Sequence, residues 1–282
     1  MSKIHALVTE KIISQLETGT APWIKPWNGE ESLDHNKITG KAYSGINRLL
    51  LGISGSVYNN KEWGTLKQWN ALGGRVKRGE HGTDIFYYQP QVAGIDKNTG
   101  EEKSYMLLKC YKVFNFEQVE GLQIKPDDHK IKNFVNMESV EDFIIGTGAN
   151  ISHGGNSASF SPVTDSIKLP RKESFFSESN YYATVFHELV HWTGAKSRLS
   201  RELSGRFGST EYAFEELVAE LGSAFLCQSF GVQGELRHSG YINSWIKCLK
   251  EHNTAIFKAA ALAQKAEDYL RSLEPNKNAI SA

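Results

Sequence analysis

The feature that most constrains this chain is the sequence His187-Glu188-Leu-Val-His191, which lies within a predicted helix. Ser177, Ser179 and Asn180 are candidate N-caps for that helix, and Gly194 is predicted to end it. Histidines four residues apart lie one helical turn apart on one face, so both imidazoles can reach a single metal ion. Glu188, about 100° round the helix, faces the water bound to that ion and is predicted to be the general base. The pattern predicts a zinc site, with Mn²⁺ or another divalent transition metal as the alternative.

A catalytic zinc site needs a third protein ligand and one open coordination position. The metzincin pattern requires a histidine where this chain has Ser197, so that class is excluded. A second predicted helix has apolar residues at helical spacing and places Glu216 and Glu220 together on one face. Glu216 is predicted to be the third ligand, and Glu220 to accept the second ring N–H of a ligand histidine. Glu215 is predicted to point elsewhere, and His238, in a loop-like segment, is the competing ligand.

Other residues of the second helix also bear on the site. The small residues Ala213, Ala219 and Ser223 are expected to let this helix approach the histidine-bearing helix closely. Tyr212 lies one turn before Glu216 and is a candidate catalytic residue that stabilises an oxyanion. The alternative for Tyr212 is an ordinary packing role.

Charge and aromatic residues distinguish the first half of the chain. The formal net charge of the 282 residues is zero, but residues 37–88 contain eight basic and only three acidic residues. Proteins that bind single-stranded nucleic acid combine a basic groove with aromatic faces on which bases stack. This half is predicted to bind single-stranded DNA with little sequence preference, through Lys41, Tyr43, Arg48, Lys61, Trp63, Lys67, Trp69, Arg75, Lys77 and Arg78. The alternative is that the aromatic side chains form a core and the basic residues a solvated surface.

Strand patterns in the first half cover residues 84–88, 91–95 and 105–114. Side chains alternate across a strand, so the first pattern predicts that one pair is exposed and the other is core. The two pairs are Phe86 with Tyr88 and Ile85 with Tyr87.

The chain is long enough for two domains. A polar, Pro126-containing segment, residues 121–132, is predicted to be the linker between domains at residues 1–125 and 133–282. The second domain is expected to contain a hairpin within residues 151–170, whose prolines favour an edge position. The predicted fold class is α+β, with a mixed α/β first domain and a second domain that carries the His-Glu-x-x-His helix and a small antiparallel sheet.

Three scattered cysteines without Cys-x-x-Cys spacing indicate a reducing compartment. No segment has the length of a secretion signal core or a membrane span, so a cytoplasmic protein without a membrane partner is predicted.

The chain resembles the plasmid-borne ArdC family of antirestriction proteins over nearly its whole length. The segments that carry the resemblance are residues 39–51 (Thr-Gly-Lys-Ala-Tyr-Ser-Gly-Ile-Asn-Arg-Leu-Leu-Leu), 72–83 (Leu-Gly-Gly-Arg-Val-Lys-Arg-Gly-Glu-His-Gly-Thr), 113–118, 187–194 and 212–221. The resemblance implies an N-terminal domain that binds single-stranded DNA and a C-terminal zincin-like metallopeptidase domain. It also implies a role in conjugation, in which incoming DNA is protected from host restriction. The family's site falls on His187, Glu188, His191 and Glu216, whereas Ala195 stands where the family usually has histidine.

Three functions follow from these patterns. The first is a DNA-associated zinc metallopeptidase, with a restriction-system component as a candidate protein substrate. The second is a DNA-coating protein whose metal site is structural or vestigial. The third, a nuclease or primase accessory domain, lacks support because the basic half has no paired-carboxylate motif.

Overall fold

The computed structural model describes residues 3–19, 21–23, 33–95, 102–122, 137–206, 208–233 and 240–274, without the side chains of residues 92–95 and 102–105. Two compact units are present. We call the unit formed by Asp34–Asp128 the sheet unit, and the unit formed by Met1–Leu33 with His129–Ala282 the helical unit. The predicted linker, residues 121–132, lies mostly outside the described residues.

The described helices and strands follow in chain order. The helices are α1 (Lys3–Leu16), α2 (Gly45–Ser54), α3 (Leu66–Ala71), α4 (Met137–Gly146), α5 (Glu178–Thr193), α6 (Thr210–Phe230), α7 (Ile242–Glu251) and α8 (Ala255–Ser272). The strands are β1 (His35–Asn36), β2 (Glu62–Thr65), β3 (Arg75–Val76), β4 (Thr83–Ile95), β5 (Glu102–Asn115), β6 (Val119–Glu120), β7 (Asn150–His153), β8 (Ser159–Ser161) and β9 (Ser166–Leu169). None of these helices is long and apolar enough to cross a membrane.

The sheet unit is built around a four-stranded sheet with the order β1-β2-β5-β4. Its two long strands, β4 and β5, pair antiparallel, so the predicted strands at residues 84–88 and 91–95 are one continuous strand. Strands β3 and β6 form a separate two-stranded ladder. Tyr43, Leu51, Trp63, Ile85 and Val113 make the buried cluster on one side of the main sheet.

The predicted exposure along β4 is wrong, because each predicted pair has one buried and one exposed member. Ile85 and Phe86 are both buried, whereas Tyr87 and Tyr88 are 48% and 51% exposed. At Phe86 the Asn47 side chain of α2 completes the sheet edge, since it donates to the Phe86 carbonyl and accepts from the Phe86 N–H, both at 2.7 Å. Both faces are therefore covered at the start of β4, and the tyrosines lie beyond that cover.

The helical unit contains the helix pair α5 and α6, with α8 packed against both. Its sheet has the order β7-β9-β8, and Ile167 and Leu169 of the central strand β9 are fully buried. Strands β8 and β9 form the predicted hairpin, with β8 at a sheet edge, and Asp165 in the turn has a φ of 48°. Strand β7 runs parallel to β9, so the sheet is mixed where an antiparallel one was predicted.

The N-terminal helix α1 belongs to the helical unit, whereas the sequence prediction placed it in the first domain, residues 1–125. Thr9 of α1 donates a hydrogen bond to the Asn253 carbonyl at 2.7 Å, and the rings of Trp23 and Trp245 lie 5.5 Å apart. The apolar face of α1 is buried in this unit, including Ile12. An amphipathic pattern shows that a helix needs an apolar partner but does not specify which partner.

Candidate metal centre

Helices α5 and α6 carry the predicted site, and both begin at the kind of cap that the sequence offers. Ser177 accepts a hydrogen bond from the Asn180 N–H at 3.1 Å, and Ser209 accepts one from the Tyr212 N–H at 3.2 Å. Gly231 ends α6 in the left-handed conformation, with a φ of 67°. These caps fix both helix starts, so the positions of His187, His191 and Glu216 follow from the helix geometry.

The three predicted ligands converge. The Nε2 atoms of His187 and His191 are 3.1 Å apart, and the Glu216 carboxylate oxygens lie 3.5 and 3.6 Å from them. Within the described residues this is the group of three side chains that could hold a metal ion. Ligand atoms that are about 2.0–2.1 Å from one tetrahedral ion are about 3.3 Å from each other. The residues present therefore fit a divalent metal, and the donor set of two imidazoles and one carboxylate suits zinc or manganese.

Each histidine also has a carboxylate beside its second ring nitrogen. Glu220 lies 3.7 Å from His187 Nδ1, which is beside the predicted partner but longer than a hydrogen bond. Glu215 lies 3.2 Å from His191 Nδ1, so the prediction that Glu215 points elsewhere is wrong. The reason is that α6 faces α5 closely enough to bury Glu215, Glu216 and Glu220 together. Such carboxylates fix the ring orientation and raise the basicity of a metal-bound histidine.

Arg201 holds Glu215 in place and was not among the predicted residues. Its guanidinium donates to both Glu215 oxygens, at 2.9 and 3.0 Å, and also to the Val190 carbonyl and the Thr193 hydroxyl. Its side chain is only 5% exposed. A buried, bidentate pair of this kind gives the carboxylate a fixed orientation. The only sequence signal for Arg201 is indirect. A buried carboxylate needs a positively charged partner, and several basic residues follow α5.

The charges of this cluster shift its titration. Burial lowers the pKa of His187, but the hydrogen bond to Glu216 and the charges of Glu220 and Glu188 outweigh that effect and raise the pKa to about 9. Burial raises the pKa of Glu216, but the hydrogen bond to His187 and the charges of both histidines lower it on balance. These shifts favour a protonated His187 beside an ionised Glu216.

A glycine brings α6 against α5. A Cβ atom at Gly222 would lie 2.6 Å from Cγ2 of Val190, which is far closer than real side chains approach. One residue later, Ser223 donates a hydrogen bond to the Ala183 carbonyl at 2.8 Å. Of the predicted small residues, Ala213, Ala219 and Ser223 are all buried, and Gly222 is the contact that the prediction missed.

The metal ligands open into a cleft of about 220 Å³. Glu188 lines this cleft beside the histidines, and it is 6% exposed. The opposite wall includes Ser159 and Phe160 of the edge strand β8. Tyr212 also lines it, together with Tyr241 and residues of the loop between α5 and α6. His238, the competing ligand, lies outside the described residues.

The predicted DNA-binding residues divide into two groups. Trp63 and Trp69 are fully buried, and their indole N–H groups donate to Asp34 and to the Phe114 carbonyl. Arg48 and Tyr43 are also buried, at 2% and 5% exposure. The prediction that these four side chains contact DNA directly is therefore wrong, because they are buried within the sheet unit. The exposed predicted residues are Lys41, Lys67, Arg75, Lys77 and Arg78, and Lys61 is half-buried.

Two of these exposed basic residues already have partners. Arg75 pairs with Glu120 at 2.7 Å, and Lys77 donates to the Glu117 carbonyl at 2.8 Å. A different feature of the sheet unit is more open, namely a groove of about 610 Å³ on one face of β4 and β5. It is lined by Asn36, Thr39, Lys41, Ala42, Tyr43, Ser44, Asn47, Thr65, Gln68, Ile85, Tyr87, Tyr88, Gln89, Lys109, Tyr111 and Val113. The sequence predicted strands here but no DNA contact at Lys109 or Tyr111.

The fold and the metal centre define a protein with a zincin-like metallopeptidase domain and a separate α/β unit. Residues 138–262 match the zincin-like metallopeptidase family, and residues 2–114 match the N-terminal domain of anti-restriction factor ArdC. The chain therefore belongs to the ArdC family of antirestriction proteins.

Solved structures and related sequences agree with this assignment. The chain is similar to the antirestriction protein ArdC from plasmid R388 in its metal-free structure, with a TM-score of 0.82 and 37% identity over 97% of this chain and 98% of that one. It is also similar to the Mn(II)-bound structure of the same protein, with a TM-score of 0.81 and 35% identity over 98% of this chain and all of that one.

Two curated relatives extend the comparison. DNA primase TraC of Escherichia coli is 40% identical over 96% of this chain, but the chain spans only 27% of that protein. An uncharacterised protein, y4eC, of Sinorhizobium fredii is 36% identical over 95% of this chain and 92% of its own length.

Proposed function

We propose that this protein protects incoming plasmid DNA from restriction, by binding single-stranded DNA on the sheet unit and by cleaving a protein at a zinc centre in the helical unit. The observation that carries the proposal is the convergence of His187, His191 and Glu216 beside the Glu188 carboxylate. One bound zinc ion would polarise a peptide carbonyl and acidify water. The candidate substrate is a component of a restriction system.

Glu188 is the proposed general base, because it lines the cleft beside the two histidines. Its carboxylate would accept the proton of the attacking water and then deliver it to the leaving amine. Strand β8 is a sheet edge in the same cleft, so its main chain could pair with an extended segment of the substrate. The proposed pairing strand is Ser159–Ser161, which lies within the predicted hairpin.

The decisive experiment compares the wild type with Glu188→Gln. This variant should keep the metal and the shape of the cleft, but lose the base. We expect it to lose protection of transferred DNA in a conjugation assay and to accumulate the uncleaved substrate. Full protection by Glu188→Gln, with metal bound, would instead favour the DNA-coating function with a structural metal.

The groove on β4 and β5 is the proposed contact for single-stranded DNA. The rings of Tyr87 and Tyr111 are half-exposed, 6.0 Å apart, and lie on the face that also carries Lys109. Stacking of a base on an aromatic ring contributes roughly 1–3 kcal/mol, and lysines neutralise the phosphates. Tyr43 lines the floor of the groove, although it is too buried to stack.

Fluorescence anisotropy with a single-stranded oligonucleotide tests this site on the full chain. Tyr87→Ala and Tyr111→Ala should each weaken binding about tenfold or more, in line with the loss of one stacked base. Lys109→Ala should also make the plot of log affinity against log salt concentration less steep. The slope should fall by about 0.7, because one phosphate contact is lost. Lys67→Ala is the matched control, because Lys67 is exposed but does not line the groove. Equal losses for Lys67→Ala and Lys109→Ala would place the DNA elsewhere.

A further inference from the structure

Two tyrosines in the metal cleft have hydroxyl groups in contact. Tyr212 Oη and Tyr241 Oη are 3.2 Å apart, and both residues line the cleft with Glu188. Tyr212 lies in the first turn of α6, whereas Tyr241 immediately precedes α7. Sequence spacing points only to Tyr212, because Tyr241 is distant from both the His-Glu-x-x-His motif and Glu216 along the chain. The fold brings the second tyrosine to the site.

The hydrogen bonds assign different tasks to the two hydroxyls. Tyr212 also hydrogen-bonds the Glu216 carboxylate, which is an acceptor only. A phenol has a single O–H proton, so Tyr212 donates that proton to Glu216 and accepts a hydrogen bond from Tyr241. The proton of Tyr212 is therefore committed to a metal ligand.

Tyr241 is held rigidly but keeps a hydroxyl that faces the cleft. Its ring stacks on Trp245 with the centroids 6.0 Å apart and an interplanar angle of 21°, and Trp245 is fully buried. Burial and the nearby charges of Glu216, Glu220 and Glu188 raise the pKa of Tyr241. Tyr241 is therefore protonated at neutral pH and lies near the general base.

We propose that Tyr241 is the catalytic residue that stabilises the oxyanion of the tetrahedral intermediate, and that Tyr212 is a positioning residue for Glu216. This inference rests on the proposed peptidase function. As the substrate carbonyl oxygen gains negative charge, the Tyr241 O–H rotates away from Tyr212 and donates to that oxygen. Tyr241 keeps its proton throughout, so no covalent O–H bond breaks. Tyr212 continues to donate its hydrogen bond to Glu216. Donors that act on the developing charge accelerate the reaction without tighter substrate binding.

Binding measurements on the full chain separate the two roles. The variants are Tyr241→Phe and Tyr212→Phe, with Tyr182→Phe as the matched control, because the Tyr182 hydroxyl bonds Glu141 and Lys172 and does not line the cleft. The probes are zinc alone, an alanine-based phosphinic peptide that mimics the tetrahedral intermediate, and the amide peptide of the same sequence. Peptide affinities are measured on zinc-loaded protein that also carries Glu188→Gln.

Tyr241→Phe should weaken the phosphinic peptide about a hundredfold, while the affinities for zinc and for the amide peptide stay within about threefold of the control. Tyr212→Phe should instead weaken zinc binding about tenfold. One result would overturn the inference. In it, Tyr182→Phe binds the phosphinic peptide more tightly than the amide peptide, and Tyr241→Phe binds the phosphinic peptide with the same affinity as Tyr182→Phe. If the control protein binds neither peptide, the proposed peptidase function fails and the inference fails with it.

Discussion

Single side chains beside the metal ligands decide how well the site binds. Glu215 is the clearest case, because it touches His191 on one side and Arg201 on the other. Burial raises the pKa of Glu215, but its bonds to His191 and Arg201 outweigh that effect and keep it ionised. The site thus depends on a residue that is not a metal ligand.

Glu215→Gln is therefore expected to weaken metal binding by about ten- to a hundredfold, since the His191 ring loses its charged partner. Competition with a metal-binding dye measures the change. Glu211→Gln is the matched control, because Glu211 lies one turn earlier on α6 and is exposed. If both variants bound metal like the wild type, the role of Glu215 would be refuted.

Metal affinity should also depend on pH through His187. Its raised pKa of about 9 means that the metal-free protein carries a proton there at neutral pH, which binding must release. Apparent affinity for Mn²⁺ is expected to rise about tenfold per pH unit between about pH 7 and 9. The proton on His187 stabilises the metal-free fold fully below pH 6.5, which is the pKa of this histidine in the unfolded chain. That stabilisation is lost as the pH rises through the folded-state pKa of about 9.

Titration with Mn²⁺ in weakly coordinating buffers checks this dependence. Glu220→Gln is the control, because it removes one of the charges that raise the His187 pKa. The steep region should then move to lower pH. A flat profile in the wild type would contradict the assignment of the proton to His187.

Most of the metal centre could be predicted from residues on two helices. His187, Glu188 and His191 share one helix, so their spacing fixes their relation, and Glu216 follows from the apolar stripe of the next helix. Arg201 and Tyr241 could not be predicted in this way. They reach the site from a loop and from the residue before α7, and nothing in their local sequence specifies that approach.

At the scale of elements, the close contact between α5 and α6 sets the distances between ligands. Gly222→Ala would place a methyl group against Val190, which is fully buried and has a stiff, β-branched side chain. Overpacking costs about 1–3 kcal/mol of unfolding free energy, while the helical preference for alanine returns only about 1 kcal/mol. We therefore expect lower stability and, because Glu216 moves with α6, weaker metal binding.

Thermal unfolding and metal titration of Gly222→Ala measure both effects. The double variant Gly222→Ala with Val190→Ala removes the opposing methyl groups and should recover metal affinity. Val190→Ala alone serves as its control. Unchanged metal affinity in Gly222→Ala would show that the ligand distances do not depend on this contact.

In the sheet unit, the elements were predicted better than their surfaces. The strand patterns correctly placed β4 and β5, but alternation along β4 failed to predict exposure, because α2 covers only the first part of that strand. From sequence alone, Trp63 and Trp69 fit a base-stacking role and a core role equally well. The structure shows that both are fully buried. Aromatic residues among basic ones are ambiguous until the sheet shows which face is covered.

At the scale of the whole molecule, the chain combines two units whose proposed ligands differ, single-stranded DNA and a protein. The division into two domains could be predicted from the change in charge and from the polar segment between the halves. The place of α1 could not, because its partner α7 lies more than 200 residues away in sequence. Only the folded chain shows that the N-terminal helix belongs to the helical unit.

We propose that His187, His191 and Glu216 together hold one divalent metal ion. Isothermal titration of the full chain with Zn²⁺ tests it most directly, using the wild type, Glu216→Ala and His238→Ala, with circular dichroism to confirm that each variant is folded. We expect the wild type and His238→Ala to bind one equivalent with the same affinity, and Glu216→Ala to lose that binding. Wild-type affinity in Glu216→Ala, together with loss of binding in His238→Ala, would contradict the account.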